Sequence, residues 1–309
     1  MLLTAFASHP DCLKHETGDI HPESAARLRA IEDHLIESQL FYLLRHLDAP
    51  LATRDQLLRV HDAAYLDTLD ACPVEAGLRY LDPDTPVGPH SLVAARRAAG
   101  AMIGAIDGIM KGEFDNAFCS VRPPGHHARR DRAMGFCVYN NAAVGAAHAL
   151  EEHGLERIAI VDFDVHHGNG TEQIFSDEPR VMICSTFQHP FYPDVPFVQN
   201  DERIICAPLA AGARGEEFRA AITERWLPAL DRFQPQMILV SAGFDGHRDD
   251  DMSGVSLTEK DFGWVTEQIL EVARKYATNR VVSTLEGGYD LPSLARSVEA
   301  HLRVLMDIH

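Results

Sequence analysis

Short apolar, β-branched runs recur along the chain at residues 116–121, 157–163, 181–187, 236–241 and 280–285, each followed by a polar or glycine-containing segment. Runs of this length without polar alternation predict strands buried on both faces. Between them, residues 91–110, 142–153, 216–233, 258–276 and 292–306 combine helical spacing with good helix formers, which predicts helices. Strand and helix alternate, the pattern of a parallel sheet covered on both faces. The alternation runs from about residue 116 to the end without a Pro-, Ser- or Gly-rich linker, and residues 22–69 are mostly helical in pattern. The expectation is one α/β domain over residues 1–309, with no internal repeat or low-complexity tract; Asp249-Asp250-Asp251 is too short an acidic run to count as one. Ligands of open parallel sheets sit beyond the carboxyl ends of the strands, and the polar clusters of this chain fall there.

Composition changes this picture little, and charge narrows the partners. The 309 residues are 46% hydrophobic and 24% charged, ordinary for a folded protein. Lys and Arg number 28 against 46 Asp and Glu, a formal charge of −18, and no basic block occurs. Nucleic-acid binding is therefore disfavoured, because phosphate neutralisation by Lys and Arg supplies most non-specific affinity. The acidic excess instead favours cationic ligands such as lysine-rich segments or polyamines. No apolar run reaches membrane-spanning length, and residues 1–12 lack the basic and apolar regions of a secretory signal. Cys12, Cys72, Cys119, Cys137, Cys184 and Cys206 are scattered without a CxxC pair, which fits free thiols in a reducing, cytoplasmic setting.

The strongest chemical signal is Asp162-Phe163-Asp164-Val165-His166-His167-Gly168-Asn169-Gly170-Thr171, directly after the run Ile158-Ala159-Ile160-Val161. Strand alternation would place Asp162, Asp164 and His166 on one face. A carboxylate and an imidazole two residues apart can reach one metal ion, and Asp245, in Ser241-Ala242-Gly243-Phe244-Asp245, supplies a third ligand at an equivalent strand end. Three protein ligands leave a position open for water or substrate, the catalytic type of zinc site. A second cluster, Arg122-Pro123-Pro124-Gly125-His126-His127, presents tandem imidazoles suited to acid–base work, with Asp162 and Asn169 as partners for their second nitrogens. A charged and a neutral partner would push the two imidazoles apart in pKa. A third, Glu286-Gly287-Gly288-Tyr289-Asp290, combines glycines that admit close backbone approach with a phenol able to donate to an oxyanion. Gly168-Asn169-Gly170-Thr171 is not a dinucleotide fingerprint, since Gln173 stands where a third glycine belongs, and there is no Walker sequence or GxSxG elbow.

Together these segments resemble the histone deacetylase and acetylpolyamine amidohydrolase family, from His21-Pro22-Glu23 through residues 122–171 to Glu286-Gly287-Gly288-Tyr289. Asn169 and the Glu286-Gly287-Gly288-Tyr289 segment make the chain look like a bacterial member of the class II branch. The resemblance implies an arginase-like α/β domain with a central eight-stranded parallel sheet flanked by helices. It implies one catalytic Zn2+ on Asp164, His166 and Asp245, the histidine pair His126 and His127 oriented by Asp162 and Asn169, and Tyr289 as oxyanion donor. By the same resemblance, Gly135, Phe136 and Tyr192 line an acyl-lysine channel and Asp84 grips the substrate backbone at its rim. A structural K+ would sit on main-chain oxygens of Asp162, Asp164, His166, Ser185 and Thr186. Asp249-Asp250-Asp251-Met252 departs from the usual Gly-Asp-Pro pattern. Met252 stands where polyamine-selective relatives can carry an acid, so it favours an uncharged wall.

The expected function is zinc-dependent removal of acetyl or other short acyl groups from lysine side chains of proteins or peptides. The alternatives are an acetylpolyamine amidohydrolase, a non-catalytic acyl-lysine-binding module, and a binuclear manganese hydrolase of the arginase type, which needs more bridging carboxylates. Oligomerisation is left open, as are His9, His15, His21, His189 and His247.

Overall fold

The structure, a computed structural model, describes residues 1–71, 73–199 and 201–308; Cys72 therefore lies outside the described residues. The strands are β1 (Thr4–Ser8), β2 (Arg45–Asp48), β3 (Arg79–Tyr80), β4 (Pro86–Val87), β5 (Asn116–Cys119), β6 (Ile158–Asp162), β7 (Val181–Gln188), β8 (Ile204–Leu209), β9 (Met237–Ala242) and β10 (Val281–Leu285). Eight of them form one sheet in the order β2-β1-β5-β10-β9-β6-β7-β8, and β3 with β4 makes a small hairpin. Every pairing in the large sheet is parallel.

All five apolar runs are strands, buried along their whole length. Three more strands of the large sheet lie outside those runs. In β2 the sequence Arg-His-Leu-Asp is mostly exposed at a sheet edge, inside the stretch whose pattern is otherwise helical. Strand β1 is short and built largely of small residues. Pro208 interrupts β8, and proline is tolerated there because β8 is the opposite edge strand.

The helices are α1 (Ala25–Glu37), α2 (Arg54–Leu58), α3 (Ala63–Asp70), α4 (Ser91–Met110), α5 (Asn141–His153), α6 (Asn169–Phe175), α7 (Gly215–Ala221), α8 (Leu227–Phe233), α9 (Glu259–Val272) and α10 (Leu291–Leu305). The helix expected over 216–233 is α7 and α8 joined by a π turn at Ile222–Trp226, and the one over 258–276 is α9 continued by a π turn at Ala273–Ala277. Local chemistry sets the ends of two helices near the site. The Asn140 side chain caps α5 by accepting from Ala143 N, and Gly154 closes it at φ 63°. Asp290 caps α10 by accepting from Ser293 N, with Pro292 in the first turn. Alanine-rich α4 lies close to its neighbours; a Cβ on Gly100 would meet the Pro50 carbonyl oxygen at 1.9 Å.

The strands β5, β10, β9 and β6 are contiguous at the sheet centre, and their carboxyl ends carry the segments 120–127, 286–289, 243–247 and 163–168. Motifs far apart in sequence therefore meet in one place. Among the described residues no helix is long and apolar enough to cross a membrane, and Cys12, Cys119, Cys137, Cys184 and Cys206 are free and buried.

Candidate active site

Strand β6 ends at Asp162, and the chain then leaves the sheet. The turn, rather than strand alternation, brings Asp164 and His166 to the same cleft: Asp164 N donates to Asp162 Oδ1 (3.1 Å) and His166 N to Asp164 Oδ1 (2.8 Å). His166 Nδ1 lies 3.1 Å from Asp164 Oδ1 and 3.1 Å from Asp245 Oδ2. Backbone amides hold the other carboxylate oxygens, Gly287 N on Asp164 Oδ2 (2.8 Å) and Val165 N on Asp245 Oδ1 (3.1 Å). One imidazole nitrogen and two carboxylates thus offer ligand atoms within 4.8 Å of one another. Burial raises Asp245 to about 6, with the nearby Asp164 charge adding to it. Burial opposes the charge on His166, but bonds to Asp164 and Asp245 outweigh it and lift the imidazole to about 10. Asp164 is held below the usual carboxylate range, burial being overcome by His126 and His166.

The tandem histidines follow β5. Glu286 Oε2 accepts from Gly125 N (2.7 Å) and His126 N (3.1 Å), fixing the turn from behind. Gly125 is required there, because a Cβ would come within 2.5 Å of Asn141 N. His126 Nδ1 is 2.9 Å from Asp162 Oδ2, and His127 Nδ1 is 2.8 Å from Asn169 Oδ1. Burial disfavours charge on both rings. For His126 the Asp164 and Asp162 carboxylates outweigh burial and raise the pKa well above its ordinary value. For His127 burial is reinforced by His126 and His166, and the pKa falls well below. The two shifts run in opposite directions, so His126 holds a proton more readily than His127.

Tyr289 sits after β10, over a buried arginine. The Arg27 guanidinium carbon is 4.9 Å from the Tyr289 ring centroid, and Arg27 donates to the carbonyls of Gly288 (2.6 Å) and Glu286. Asp250 Oδ2 accepts from Tyr289 N (2.7 Å) and Asp290 N (3.1 Å). The middle residue of the acidic run is thus turned inward as a brace for the tyrosine. Burial keeps the phenol protonated, far above its ordinary pKa.

His126, His127, His166 and Tyr289 line a cavity of about 190 Å³. Its walls include Gly135, Phe136, Tyr192 and Met252, all expected from the sequence, together with Asp84. Phe136 stands edge-on to Tyr289 (6.0 Å) and Tyr192 edge-on to His127 (5.2 Å). Asp84 Oδ1 accepts from Gly135 N (3.2 Å), and burial with the neighbouring Asp82 raises its carboxyl to about 6. Phe191, Pro124 and Gly287 also line the cavity, and Phe191 stacks on His166 at 5.4 Å. Phe191 stands beside Tyr192, but sequence spacing does not reveal that two successive aromatic residues both face the site.

Ser185 lies opposite Asp162 in the β6–β7 register, and its hydroxyl is buried with no hydrogen-bond partner; Thr186 is buried beside it. Of the unassigned histidines, His21 packs edge-on against Phe136 at 4.5 Å and props the rim. His15 and His247 are buried, with His15 Nδ1 2.7 Å from Ser91 Oγ. His9 caps a short 3-10 helix, and His189 packs on Phe197. His167 packs on Phe187 at 4.6 Å with Nε2 3.4 Å from Glu172.

An α/β sheet whose central strand ends gather a carboxylate–imidazole triad, a split histidine pair and a tyrosine in an aromatic-walled cavity defines a hydrolase-type site. The chain matches the histone deacetylase domain family over residues 21–305, and it belongs to that family of deacetylases and amidohydrolases. It is 38% identical over 278 residues to the histone deacetylase-like amidohydrolase of Pseudomonas aeruginosa, covering 87% of this chain and 72% of that one. The polyamine deacetylase HDAC10 of Homo sapiens is 33% identical over 330 residues, 98% of this chain and 48% of that protein. The crystal structure of the HDA15 HD domain superposes with a TM-score of 0.92 at 32% identity, covering 99% of this chain and 90% of that one.

Proposed function

We propose that this chain is a zinc-dependent deacylase that hydrolyses acetyl-lysine or a similar short acyl-lysine side chain in a peptide or protein. The reading is carried by the convergence of His166 Nδ1, Asp164 and Asp245, with His166 lining the same cavity as the histidine pair. The donor set fits zinc, because nitrogen and oxygen donors meet while backbone amides hold the remaining carboxylate oxygens. Bound there, zinc would polarise the amide carbonyl and the attacking water. Neutral His127 takes the proton from that water and returns it to the departing amine, and cationic His126 stabilises the negative charge that develops. Tyr289 donates its phenolic proton in a hydrogen bond to the oxyanion. Phe136, Tyr192, Phe191 and Met252 enclose the apolar stem of the side chain, with the Asp84 carboxylate beside them for a substrate amide N–H. The buried, unpartnered Ser185 hydroxyl would be satisfied by a potassium ion held between β6 and β7.

Acyl-lysine is favoured over acetylpolyamine because the cavity wall carries Met252, an uncharged group. Two of the three neighbouring acids are also engaged elsewhere: Asp250 holds backbone amides, and Asp249 pairs with Arg296 (3.4 Å) and Arg248 (3.6 Å), while Asp251 is exposed.

The test is acetate release, as kcat/KM, by zinc-loaded protein on acetyl-lysine peptides and acetylated polyamines, with Tyr289→Phe as background. Preference for the peptides is expected, with kcat lowered about 10²–10³-fold by Tyr289→Phe. Polyamine preference would overturn the substrate assignment. Near wild-type turnover in the variant would remove Tyr289 from the mechanism. Tight peptide binding without acetate release would favour an acyl-lysine-binding module.

A further inference from the structure

A second cluster of metal-ligating side chains lies at the other end of α5 from the histidine-bearing turn. Asp107 comes from α4, and His148 and His153 come from the neighbouring α5. Nε2 of His148 and Nε2 of His153 each lie 2.8 Å from the same oxygen, Asp107 Oδ1. The two rings stand 5.4 Å apart at 78°. Residues five apart on a helix point about 140° away from each other at 3.6 residues per turn, so helix geometry alone does not bring both imidazoles to one point. The carboxylate in the groove between the helices does. His148 is buried, whereas the side chains of Asp107 and His153 are 34% and 19% exposed, which leaves an ion a path from solvent.

We propose that Asp107, His148 and His153 form a second divalent transition-metal site, of the zinc class, that clamps α4 to α5. Two imidazole nitrogens and one carboxylate are a donor set zinc accepts, with the fourth position left for water. At about 1.5 Å per residue, His148 and His153 stand roughly 10 Å and roughly 18 Å along α5 from its start. It is therefore separate from the group at Asp164, His166 and Asp245.

An Nε2 that donates to Asp107 cannot ligate until its proton leaves or moves to Nδ1. At His148 this move meets resistance, because Arg59 Nη1 lies 3.5 Å from His148 Nδ1 and can only donate. Arg59 is held in place by Glu152. The arginine therefore weakens the site, and an acceptor in its place would strengthen it.

The experiment strips the full chain with chelator, reloads it with zinc, and measures metal content and the zinc dissociation isotherm for wild type, His153→Ala, Asp107→Asn and Arg59→Gln. His153→Ala and Asp107→Asn are expected to hold one ion fewer per chain than wild type, whatever number the catalytic cleft holds. Arg59→Gln is expected to keep the wild-type count and to bind the weaker ion several-fold more tightly. Saturating zinc should raise the wild-type Tm by more than that of His153→Ala. Asp107→Asn preserves volume, so it serves if His153→Ala does not melt cooperatively in chelator. Equal zinc content in wild type and a folded variant overturns the proposal, as does a looser isotherm in Arg59→Gln.

Discussion

At Gly287 a single added carbon would reach the reaction centre. A Cβ there would lie 2.0 Å from Asp245 Oδ2 and 2.7 Å from Asp164 Oδ2, and Gly287 N is the amide that orients Asp164. Gly287→Ala must push apart the two carboxylates while leaving the helices and the rest of the sheet untouched. The expected outcome is a folded protein with weakened zinc binding and kcat/KM lowered by about 10²-fold, the order of loss that ~1 Å of misplacement produces. Circular dichroism with a zinc titration checks it, and wild-type affinity in the variant would refute the steric argument. In the sequence the glycines of Glu286-Gly287-Gly288-Tyr289 allow close backbone approach there, but do not tell which atoms the backbone approaches. The same limit applies to Asp250 and Phe191. One reads as surface charge until its bonds to Tyr289 and Asp290 are seen, and the other as an ordinary aromatic until its ring is found on His166.

Among elements, legibility follows burial only where the apolar sequence is also long and unbroken. The five strands foreseen are buried along their whole length and read as apolar runs; edge strand β2 is mostly exposed and lacks the signal, whereas β1 and β8 are largely buried but escape it, β1 being short and built of small residues and β8 carrying Pro208. The packing of α9, α10 and β10 supplies a stability test independent of the cleft. His301 on α10 is buried, with Nδ1 2.6 Å from Thr266 Oγ1 on α9 and Nε2 2.9 Å from Ser283 Oγ on β10. Thr266 donates its own proton to Phe262 O, so its oxygen accepts Nδ1–H, and Nε2 accepts from Ser283. The neutral ring is thus fully paired, and burial lowers its pKa to about 3. The unfolded chain takes up this proton near pH 6.5, so the stabilisation is complete above that pH and is lost as pH falls towards 3. His301→Gln has no such proton. Its deficit against wild type in urea unfolding should shrink between pH 7 and pH 4, with a slope approaching about 1.4 kcal/mol per pH unit. A deficit constant over that interval would show that His301 is not the titrating group.

Over the whole molecule, charge and cavity favour different aspects of the substrate. The formal charge of −18 sets up a field that attracts any cationic chain, whereas the wall at Met252 offers no acid to read one. Both can hold if the field governs encounter and the cavity governs fit, because long-range attraction acts before contact and is screened by salt, while burial of an acyl-lysine stem is not. The two contributions separate in an ionic-strength series on two acetyl-lysine peptides, one flanked by lysines and one by neutral residues. Between about 50 mM and about 500 mM salt the Debye length shrinks severalfold, and kcat/KM for the lysine-flanked peptide should fall by roughly tenfold. The neutral peptide should change little. Parallel salt dependence for the two would mean that the acidic surface does not steer substrates, leaving selection between them to the rim and walls of the cavity alone.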